Sequence, residues 1–336
     1  MSDLNLAVVG ATGAVGTEIL TVLEQRDFPV GRLVPLASTR SAGKTLSFRG
    51  EPVTVQAIEE SAFEGVDLAL FSAGATRSRE FAPAAMRAGA IVVDNSSAFR
   101  MDPEIPLVVP EINADSIGAN GQLIANPNCA AIILCMALAP LRSLGHIDRV
   151  IVSTYQSTSG AGALAMEELL DQTRGYLAGE EPAPEAFQWP IAFNLFSHNS
   201  SVEENGYNGE ENKLMAETRK ILGRPDLKIS ATCVRVPVLR AHCESVNVEF
   251  DRPVDLDAVR GALAGFDGVE LCDDRDSNHF PMPRECTGED NVRVGRIRHD
   301  HSNPNAVELF VSGDQLLKGA ALNAVQVAEL MASRRA

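Results

Sequence analysis

Short apolar runs alternate with amphipathic segments along about the first 125 residues. The apolar runs predict strands, and segments whose apolar residues recur every three or four positions predict helices. The predicted strands are residues 4–9, 32–37, 66–72 and 90–95, and the predicted helices are residues 17–25 and 79–88. The run Leu68-Ala69-Leu70-Phe71 has no polar face, which is typical of a parallel sheet covered on both sides.

The pattern changes after Cys129. Longer alternating strands are mixed there with helices, and a Pro- and Asn-rich stretch, residues 180–205, predicts irregular structure. The predicted strands are residues 149–156, 229–250 and 305–311, and the predicted helices are residues 162–173, 210–222 and 315–334. This combination is typical of a domain built on a mixed sheet.

The two halves predict an α/β protein of two domains. An N-terminal Rossmann domain, a doubly wound parallel sheet, takes residues 1–128 and is completed by the returning C-terminal helix, residues 314–336. Residues 129–313 form an α+β domain.

Composition restricts the class of partner. The chain has 336 residues, 22% of them charged, and its formal net charge of −16 is a poor match for nucleic acid or an anionic membrane. The longest apolar run, residues 129–141, is too short to span a bilayer. Residues 1–6 lack the features of a secretory signal, and six cysteines without a C-x-x-C pair indicate reduced thiols. We therefore expect a cytoplasmic protein that binds neither nucleic acid nor membrane.

A glycine-rich turn follows the first predicted strand and opens the first predicted helix. Its sequence is Gly10-Ala-Thr-Gly13-Ala-Val-Gly16. Glycines allow a tight turn and close approach of a diphosphate, and the helix N-terminus supplies free N–H groups. Such spacing also occurs in purely structural turns. The strand and helix on either side favour a dinucleotide site.

The end of the second predicted strand indicates which dinucleotide is bound. NAD-binding folds usually carry Asp or Glu there to bind the ribose 2′-hydroxyl. This chain has Ala37-Ser-Thr-Arg40-Ser, followed by Lys44, with no carboxylate. Arg40 and Lys44 could hold a 2′-phosphate, so we expect NADP, although Arg40 could also be a solvated loop charge.

Cys129 lies at the start of an apolar helix, directly after Asn126-Pro-Asn128. Asn126 or Asn128 can cap that helix. Free amides and the helix dipole favour a thiolate nucleophile at such a position and can face an oxyanion. A small buried side chain is the alternative. Cys135, inside the apolar run, is expected in the core.

Seven segments together resemble the aspartate-semialdehyde dehydrogenase family along essentially the whole chain. Besides the glycine turn and Asn126-Pro-Asn-Cys129, they are residues 37–44, 153–156 with 159–162, 234–242, 294–298 and 317–321. The resemblance implies reversible, NADPH-dependent reductive dephosphorylation of aspartyl 4-phosphate to aspartate 4-semialdehyde, in the biosynthesis of lysine, threonine, methionine and isoleucine. It also implies a second domain like the catalytic domain of glyceraldehyde-3-phosphate dehydrogenase, and a homodimer or homotetramer built through it.

The resemblance further implies roles for individual residues. Cys129 would be the nucleophile, and Gln156 would orient the acyl intermediate. His242 would be the acid–base group, and a near-neutral pKa is expected for it. Substrate would be bound by Arg235 at its carboxylate and Glu210 at its amine, and phosphate by Arg100 and Lys213. The residues expected to bind NADP are Gly10, Thr12, Gly13, Ala14, Val15, Gly16, Ser38, Thr39, Arg40, Ser72, Gly74, Ser159, Gly160 and Asn323.

The spacing of Arg235 and His242 predicts an interruption. Seven positions along one regular strand would put the two side chains on opposite faces of a sheet. Pro237 cannot donate to a strand ladder. We therefore predict that residues 228–250 do not form one regular strand.

Alternatives remain open for several of these residues. Arg240 is an alternative to Arg235 for binding the substrate carboxylate, and Glu211 is an alternative to Glu210 for binding the amine. Glu210 and Lys213 could also form a simple surface ion pair. Asn323 could have only a packing role. His299-Asp300-His301 lacks a fourth ligand, so no metal is expected.

Three other functions remain as rivals. The first is a reductase of the N-acetyl-glutamyl-phosphate type, whose substrate has no free amine for Glu210. The second is glyceraldehyde-3-phosphate dehydrogenase, which also pairs Cys with His but whose substrate has no carboxylate for Arg235. The third is a paralogue without catalytic activity. The presence of Cys129, Gln156, Arg235 and His242 together argues against lost activity.

Overall fold

The computed structural model describes residues 3–118 and 121–335. The chain forms two compact units, one of Met1–Asn128 with Ala320–Ala336 and one of Cys129–Gly319. Residues 1, 2, 119, 120 and 336, which fall in the predicted Rossmann domain, lie outside the described residues.

The first unit is built on a parallel sheet. Its strands are β1 Leu4–Val9, β2 Val30–Ala37, β3 Thr45–Phe48, β4 Glu51–Thr54, β5 Gln56–Ala57, β6 Leu68–Phe71, β7 Ile91–Asp94 and β8 Leu123–Ala125. Its α-helices are α1 Ala14–Gln25, α2 Ala75–Arg87, α3 Pro110–Asn113 and, from the C-terminal segment, α9 Leu322–Arg335. The sheet order is β5-β2-β1-β6-β7-β8, with every pair parallel, and β3 and β4 form a separate antiparallel pair. This is the order of a dinucleotide-binding doubly wound sheet.

The strands of this sheet are buried on both faces. All residues of β6 and β7 are buried, and Val9, Phe63 and Phe71 belong to one apolar cluster with residues of α2. The unbroken apolar runs in the sequence follow from this double coverage, because neither face of the strand needs polar side chains.

The second unit is built on a seven-stranded mixed sheet. Its strands are β9 Ile147–Gln156, β10 Phe196–Ser197, β11 Lys228–Arg235, β12 His242–Phe250, β13 Val269–Leu271, β14 Val292–His299 and β15 Ala306–Gly313. Its α-helices are α4 Cys129–Leu138, α5 Ala163–Leu177, α6 Gly209–Ile221, α7 Leu256–Ala264 and α8 Pro283–Cys286. The sheet order is β10-β11-β9-β12-β15-β14-β13. The α/β class with a mixed-sheet second unit is thus confirmed.

β9 lies between β11 and β12 and shows why alternating sequence fits this sheet. Val150, Val152, Thr154 and Gln156 are buried, whereas Tyr155 is exposed. Helices α4 and α6 pack on the buried face of the sheet. Every residue of α4 after Cys129 is buried, so this helix is apolar on all sides.

Several predicted elements have different bounds in the structure. α2 begins at Ala75, four residues before the predicted start, and the strand predicted at 229–250 is two strands, as the spacing of Arg235 and His242 required. Pairs β3–β4 and β13–β14 were not predicted.

The last helix also begins later than predicted. The chain first makes a π-helical turn, Leu317–Ala321, and α9 follows it. The chain returns to the first unit at Ala320, whereas the sequence favoured residue 314. Asp314 and Gln315 hydrogen-bond to Arg240 and Ala241, which keeps that part of the segment in the second unit.

Candidate active site

A cysteine and a histidine meet in the second unit. Cys129 is the first residue of α4 and is half-buried, and its Sγ lies 3.5 Å from His242 Nε2. Gly319 lies against this cysteine, since a Cβ atom placed on Gly319 would be 2.9 Å from Cys129 Cβ. The predicted position of Cys129 in the first helical turn is confirmed.

The ends of three adjacent strands place the remaining groups in a row. Arg235, the last residue of β11, pairs in register with Gln156, the last residue of β9. His242 begins β12 on the other side of β9. All three side chains are buried. Neighbouring register positions share a face, so the row crosses the sheet from Arg235 through Gln156 to His242.

The interruption between Arg235 and His242 makes this row possible. Residues 236–241 leave the sheet, and Ala241 adopts a φ of 69°, which is unusual for a residue with a side chain. The Ala241 N–H donates to Gln315 Oε1 at 2.8 Å, which helps to hold this backbone in place. Arg235 and His242 thereby point to the same side of the sheet from two separate strands.

His242 is fully buried and its environment fixes its proton. The backbone N–H of Ser157 donates to Nδ1 at 3.1 Å, and Ser157 Oγ lies 3.0 Å from the same nitrogen. An N–H group can only donate, so Nδ1 must carry a lone pair. Burial, together with the nearby Arg235 charge, lowers the pKa of His242 from 6.5 to about 3. The neutral ring therefore holds its proton on Nε2, facing Cys129, and the expected near-neutral pKa is wrong.

Arg235 is held by neutral acceptors. Nη1 donates to the Ser157 carbonyl at 2.6 Å, and Nη2 donates to His198 Nε2 at 2.8 Å and Asn199 Oδ1 at 3.3 Å. The guanidinium lies over the Phe187 ring, 5.6 Å from its centroid. Nε has no hydrogen-bond partner, and Arg235 forms no ion pair within residues 3–118 and 121–335. A buried cation with no carboxylate in direct contact suits an incoming anion.

Arg240 has a different environment. Its Nε lies 2.7 Å from Oδ2 of Asp314, whose side chain is fully buried. Asp314 also accepts from the backbone N–H groups of Gly288 and Leu316. The charge of Arg240 is therefore already balanced, so Arg235 is the better of the two candidates for binding a substrate carboxylate.

Two adjacent glutamates at the start of α6 have different partners. Glu211 completes a capping box with Asn208 and accepts from the backbone N–H of Cys233 at 3.0 Å. Glu210 accepts from Gln156 Nε2 at 3.1 Å, and its Oε2 lies 3.7 Å from Lys213 Nζ. The Glu210 side chain is only 7% exposed, so this is not a simple surface pair. Glu210, rather than Glu211, faces the row of strand ends.

Ser159 and Gly160 lie in a short turn beside His242. Ser159 Oγ lies 3.1 Å from Ser157 Oγ and accepts a hydrogen bond from Gln315 Nε2. A Cβ atom on Gly160 would be 3.1 Å from His242 Cε1 and 3.3 Å from Arg235 Nη1. Within this unit both residues therefore support the row of catalytic candidates, and their contact with a cofactor stays a prediction.

The glycine turn lies in the first unit, between β1 and α1. Gly10 has a φ of 88°, and a Cβ atom there would overlap the Ser72 carbonyl oxygen. A Cβ on Gly16 would overlap the Gly10 carbonyl oxygen. Gly13 is the N-cap residue of α1, so Thr12 lies in the turn and Ala14, Val15 and Gly16 form the first helical turn, whose N–H groups have no intrahelical acceptor. Such a cradle fits a dinucleotide diphosphate.

The other expected cofactor residues of this unit follow strand ends. Ser38, Thr39 and Arg40 come after β2 and are exposed. Ser72 and Gly74 lie between β6 and α2, where Gly74 is the N-cap residue with a φ of 83°. The carboxyl ends of parallel strands are where ligands bind to such sheets.

Arg100 and Asn323 are both buried in the first unit. Arg100 donates to the backbone carbonyls of Asn126 and Asn95, each at 2.9 Å. The Asn323 amide donates to the Val108 carbonyl at 2.8 Å and to Asn126 Oδ1 at 2.7 Å. These contacts support the packing role of Asn323, and its contact with nicotinamide remains a prediction.

Three other cysteines of the second unit differ from Cys129 in burial. Cys135, Cys233 and Cys243 are buried, and burial raises the pKa of each thiol far above its ordinary value. The expected core position of Cys135 is confirmed. Buried thiols of this kind are poor nucleophiles.

Sequence reasoning missed three residues of the site. Ser157 fixes the tautomer of His242, His198 holds Arg235, and Gly319 allows the close approach to Cys129. His198 lies in the stretch predicted as irregular, where no periodicity indicates which way a side chain points. Gly319 lies in one of the segments that carried the resemblance, which was its only sequence signal.

Among the helices in the described parts of the chain, none is both long and apolar enough to cross a membrane.

Comparison with known proteins identifies the family. Residues 5–120 match the semialdehyde dehydrogenase NAD binding domain, and residues 138–318 match the semialdehyde dehydrogenase dimerisation domain. An aspartate-semialdehyde dehydrogenase from Synechocystis sp. is 54% identical over 333 residues, covering 99% of this chain and 98% of that protein. One from Prochlorococcus marinus is 52% identical over 331 residues, covering 98% and 96%.

A solved structure is also similar over its whole length. The structure of aspartate semialdehyde dehydrogenase II complexed with ASA, from Vibrio cholerae, is 45% identical with a TM-score of 0.96, and 99% of each chain is covered. The chain therefore belongs to the aspartate-semialdehyde dehydrogenase family.

Proposed function

We propose that this chain catalyses the reversible, NADPH-dependent reductive dephosphorylation of aspartyl 4-phosphate to aspartate 4-semialdehyde. The observation that carries the proposal is the pair of Cys129 Sγ and His242 Nε2, 3.5 Å apart, in one row with the buried Arg235. The sequence similarity to aspartate-semialdehyde dehydrogenases over 98–99% of the chain supports the choice of substrate.

Cys129 is the nucleophile of the proposed reaction. Its thiolate attacks the acyl carbon of aspartyl phosphate, a C–S bond forms, and the C–O bond to phosphate breaks, which releases inorganic phosphate. After reduction of the thioester, the C–S bond breaks and its electron pair returns to Cys129 as the aldehyde C=O forms. The position at the start of α4 supports the thiolate through the helix dipole.

His242 acts as a hydrogen-bond donor in this scheme. Its neutral ring presents Nε2–H towards Cys129, so it stabilises the thiolate and the oxyanion formed on the acyl carbon. It does not serve as the base that removes the thiol proton, because Nδ1 is occupied by the Ser157 N–H and cannot take up the proton of an imidazolium without losing that bond. This role refines the acid–base assignment that the resemblance implied.

Substrate recognition uses the charges around the row. Arg235 binds the α-carboxylate with its planar fork, since no carboxylate of the described chain already pairs with it. Glu210 receives the substrate ammonium and is oriented by Gln156. A reductase of N-acetylated substrates would have no use for this carboxylate. For phosphate, the ligand that we propose beside Glu210 is Lys213, and Arg100 stays a ligand that only the resemblance implies.

The first unit binds the nicotinamide cofactor in this proposal. Gly10 and Gly16 let the turn pack tightly against neighbouring backbone, so that the first turn of α1 presents its free N–H groups to a diphosphate. Arg40 with Lys44 takes the 2′-phosphate of NADP. When bound, NADPH supplies the hydride that reduces the thioester. The family match supports a nicotinamide dinucleotide as the cofactor but does not distinguish NADP from NAD. The proposed preference for NADP rests on the missing carboxylate after β2.

We also propose a homodimer formed through the second unit, with a homotetramer as the alternative. The mixed sheet has one face covered by helices, whereas Ile151 and Tyr155, each 39% exposed, lie on the other. A second copy of the chain would bury these side chains. The dimer predicts twice the 35.9 kDa chain mass in sedimentation equilibrium, and a stable monomer at all concentrations would refute it.

Turnover tests the proposed function directly. Purified protein with aspartate semialdehyde, NADP and phosphate should form NADPH, and omission of phosphate should abolish it. Cys129→Ser should bind NADP but form no product, whereas Cys135→Ser serves as the matched control in a core position. Turnover with an N-acetylated semialdehyde alone, or none by folded protein, would overturn the proposal.

A further inference from the structure

Arg235 is a buried cation that makes no direct ion pair within the described residues, although the charge of Glu210 acts on it from nearby. It is 2% exposed, and its three acceptors are a backbone carbonyl, an amide oxygen and an imidazole nitrogen. Burial lowers the pKa of Arg235 because the charged form has lost its water shell. Arg240 in the same unit differs from Arg235, because its guanidinium is paired directly with the carboxylate of Asp314 at 2.7 Å.

His198 is the acceptor that lies closest to Nη2 of Arg235. The distance from Nη2 to His198 Nε2 is 2.8 Å. A guanidinium can only donate, so Nε2 must carry a lone pair, and the proton of the neutral ring is then on Nδ1. Nδ1 faces Ser200 Oγ at 3.1 Å, which can accept that proton, but the Ser200 backbone N–H is also directed at Nδ1, at 3.2 Å. A neutral ring has one lone pair for the two donors, and the shorter, charge-assisted contact with Arg235 assigns it to Nε2.

We propose that His198 is a positioning residue that fixes the direction of Arg235 while leaving its charge available to the substrate carboxylate. The inference rests on the proposed function, in which Arg235 binds that carboxylate. A side chain with a negative charge at residue 198 would hold Arg235 equally well but would compete with the substrate. A neutral acceptor orients the guanidinium without such competition.

The electrostatics of His198 agree with this role. Burial lowers its pKa to about 4, and Arg235 and Lys213 act in the same direction, against the opposing charge of Glu210. Protonation would put a second cation against the guanidinium. The ring therefore remains a neutral acceptor at the pH at which the enzyme works.

Three substitutions of His198 separate this role from a structural one. In His198→Gln, the amide oxygen can reach the place of Nε2, so KM for aspartate semialdehyde should stay within about threefold of wild type. In His198→Ala, KM should rise roughly tenfold or more with kcat within about threefold, because Arg235 loses a fixed direction. In His198→Glu, KM should rise most, by about 100-fold, because the new carboxylate pairs with Arg235. His301→Gln, at an exposed site, is the matched control.

A merely structural role gives a different pattern. His198→Gln would then be as impaired as His198→Ala, with a lower melting temperature and a lower kcat, and either result overturns the proposal. Equal KM values for His198→Glu and wild type would also overturn it. If His198→Ala fails to fold, the comparison of Gln with Glu still decides, since both side chains have similar size.

The double variant distinguishes failure of this inference from failure of the proposed function. If His198 acts through Arg235, His198→Ala should add less than about threefold to KM in an Arg235→Ala background. An additive effect would show that His198 acts elsewhere. If Arg235→Ala alone leaves KM unchanged, the assigned role of Arg235 is wrong, and the inference falls with it.

Discussion

The neutral, buried state of His242 makes the stability of the protein depend on pH. Its folded pKa is lowered to about 3, whereas an unfolded histidine has a pKa of 6.5. Below pH 6.5 the unfolded chain therefore binds a proton that the folded chain does not. The stabilising contribution of the neutral His242 ring is fully present above pH 6.5. The free energy of unfolding then falls as the pH decreases from 6.5 towards about 3.

The size of the effect follows from these two values. For one such histidine, each pH unit below the pKa of the unfolded state lowers the free energy of unfolding by about 1.4 kcal/mol. At about pH 5, His242 should therefore reduce the free energy of unfolding by about 2 kcal/mol relative to about pH 7.5. His198, whose pKa is about 4, adds a similar slope, and this contribution is shared by wild type and any variant at residue 242.

The assay compares the pH dependence of wild type with that of His242→Gln. Urea unfolding at about pH 7.5 and about pH 5, at one fixed protein concentration, gives the loss for each protein. Between these two pH values, the free energy of unfolding of wild type should fall by about 2 kcal/mol more than that of the variant. The basal effect of the substitution cancels, because each protein is compared with itself. His301→Gln, which changes an exposed histidine, should behave like wild type. Equal losses for wild type and His242→Gln would refute the buried neutral ring.

Other perturbations test separate parts of the site. His242→Gln, which keeps an N–H donor near the position of Nε2, should retain kcat within about tenfold, whereas His242→Ala should lose about 100- to 1,000-fold; equal losses would restore the acid–base role. Gly319→Ala should lower kcat roughly 10- to 100-fold by displacing Cys129. The control Gly261→Ala should leave kcat unchanged, because Gly261 lies in a helix and has open space at its Cβ position. Full activity of Gly319→Ala would contradict the close approach of Gly319 to Cys129. Arg40→Ala should raise KM for NADP roughly tenfold or more and leave KM for NAD nearly unchanged, because only NADP has a 2′-phosphate; equal effects would count against NADP preference. A thiol reagent at neutral pH should modify Cys129 in preference to Cys135, as peptide mass mapping would report, and equal labelling would contradict the difference in burial.

The pattern of the sequence predicted the parallel sheet because its strands are short and buried on both faces. Residues 4–9 and the glycine turn could be placed without tertiary information, since strand, turn and helix follow one another directly. Element ends were less accurate. α2 contains Pro83 in its interior, and its polar first turn has no apolar periodicity, so its start at Ala75 was not predicted.

The catalytic row was predicted in part. The odd spacing of Arg235 and His242 correctly required two strands, because a single strand would separate their side chains. The strand order that places β9 between them could not be derived from spacing, since β11 pairs with β9 across some 70 residues of sequence. The role of Ser157 depends on a backbone N–H, which every residue type except proline provides. Sequence therefore contains no signal for the fixed tautomer of His242.

Mass spectrometry of the intact chain tests the role of Cys129 most directly. Protein mixed with aspartyl phosphate in the absence of NADPH should accumulate one covalent aspartyl group, and peptide mapping should place it on Cys129. NADPH should remove the group as aspartate semialdehyde, and Cys129→Ser should never gain it. An aspartyl group on another residue, or product formation by Cys129→Ser, would contradict the thioester mechanism.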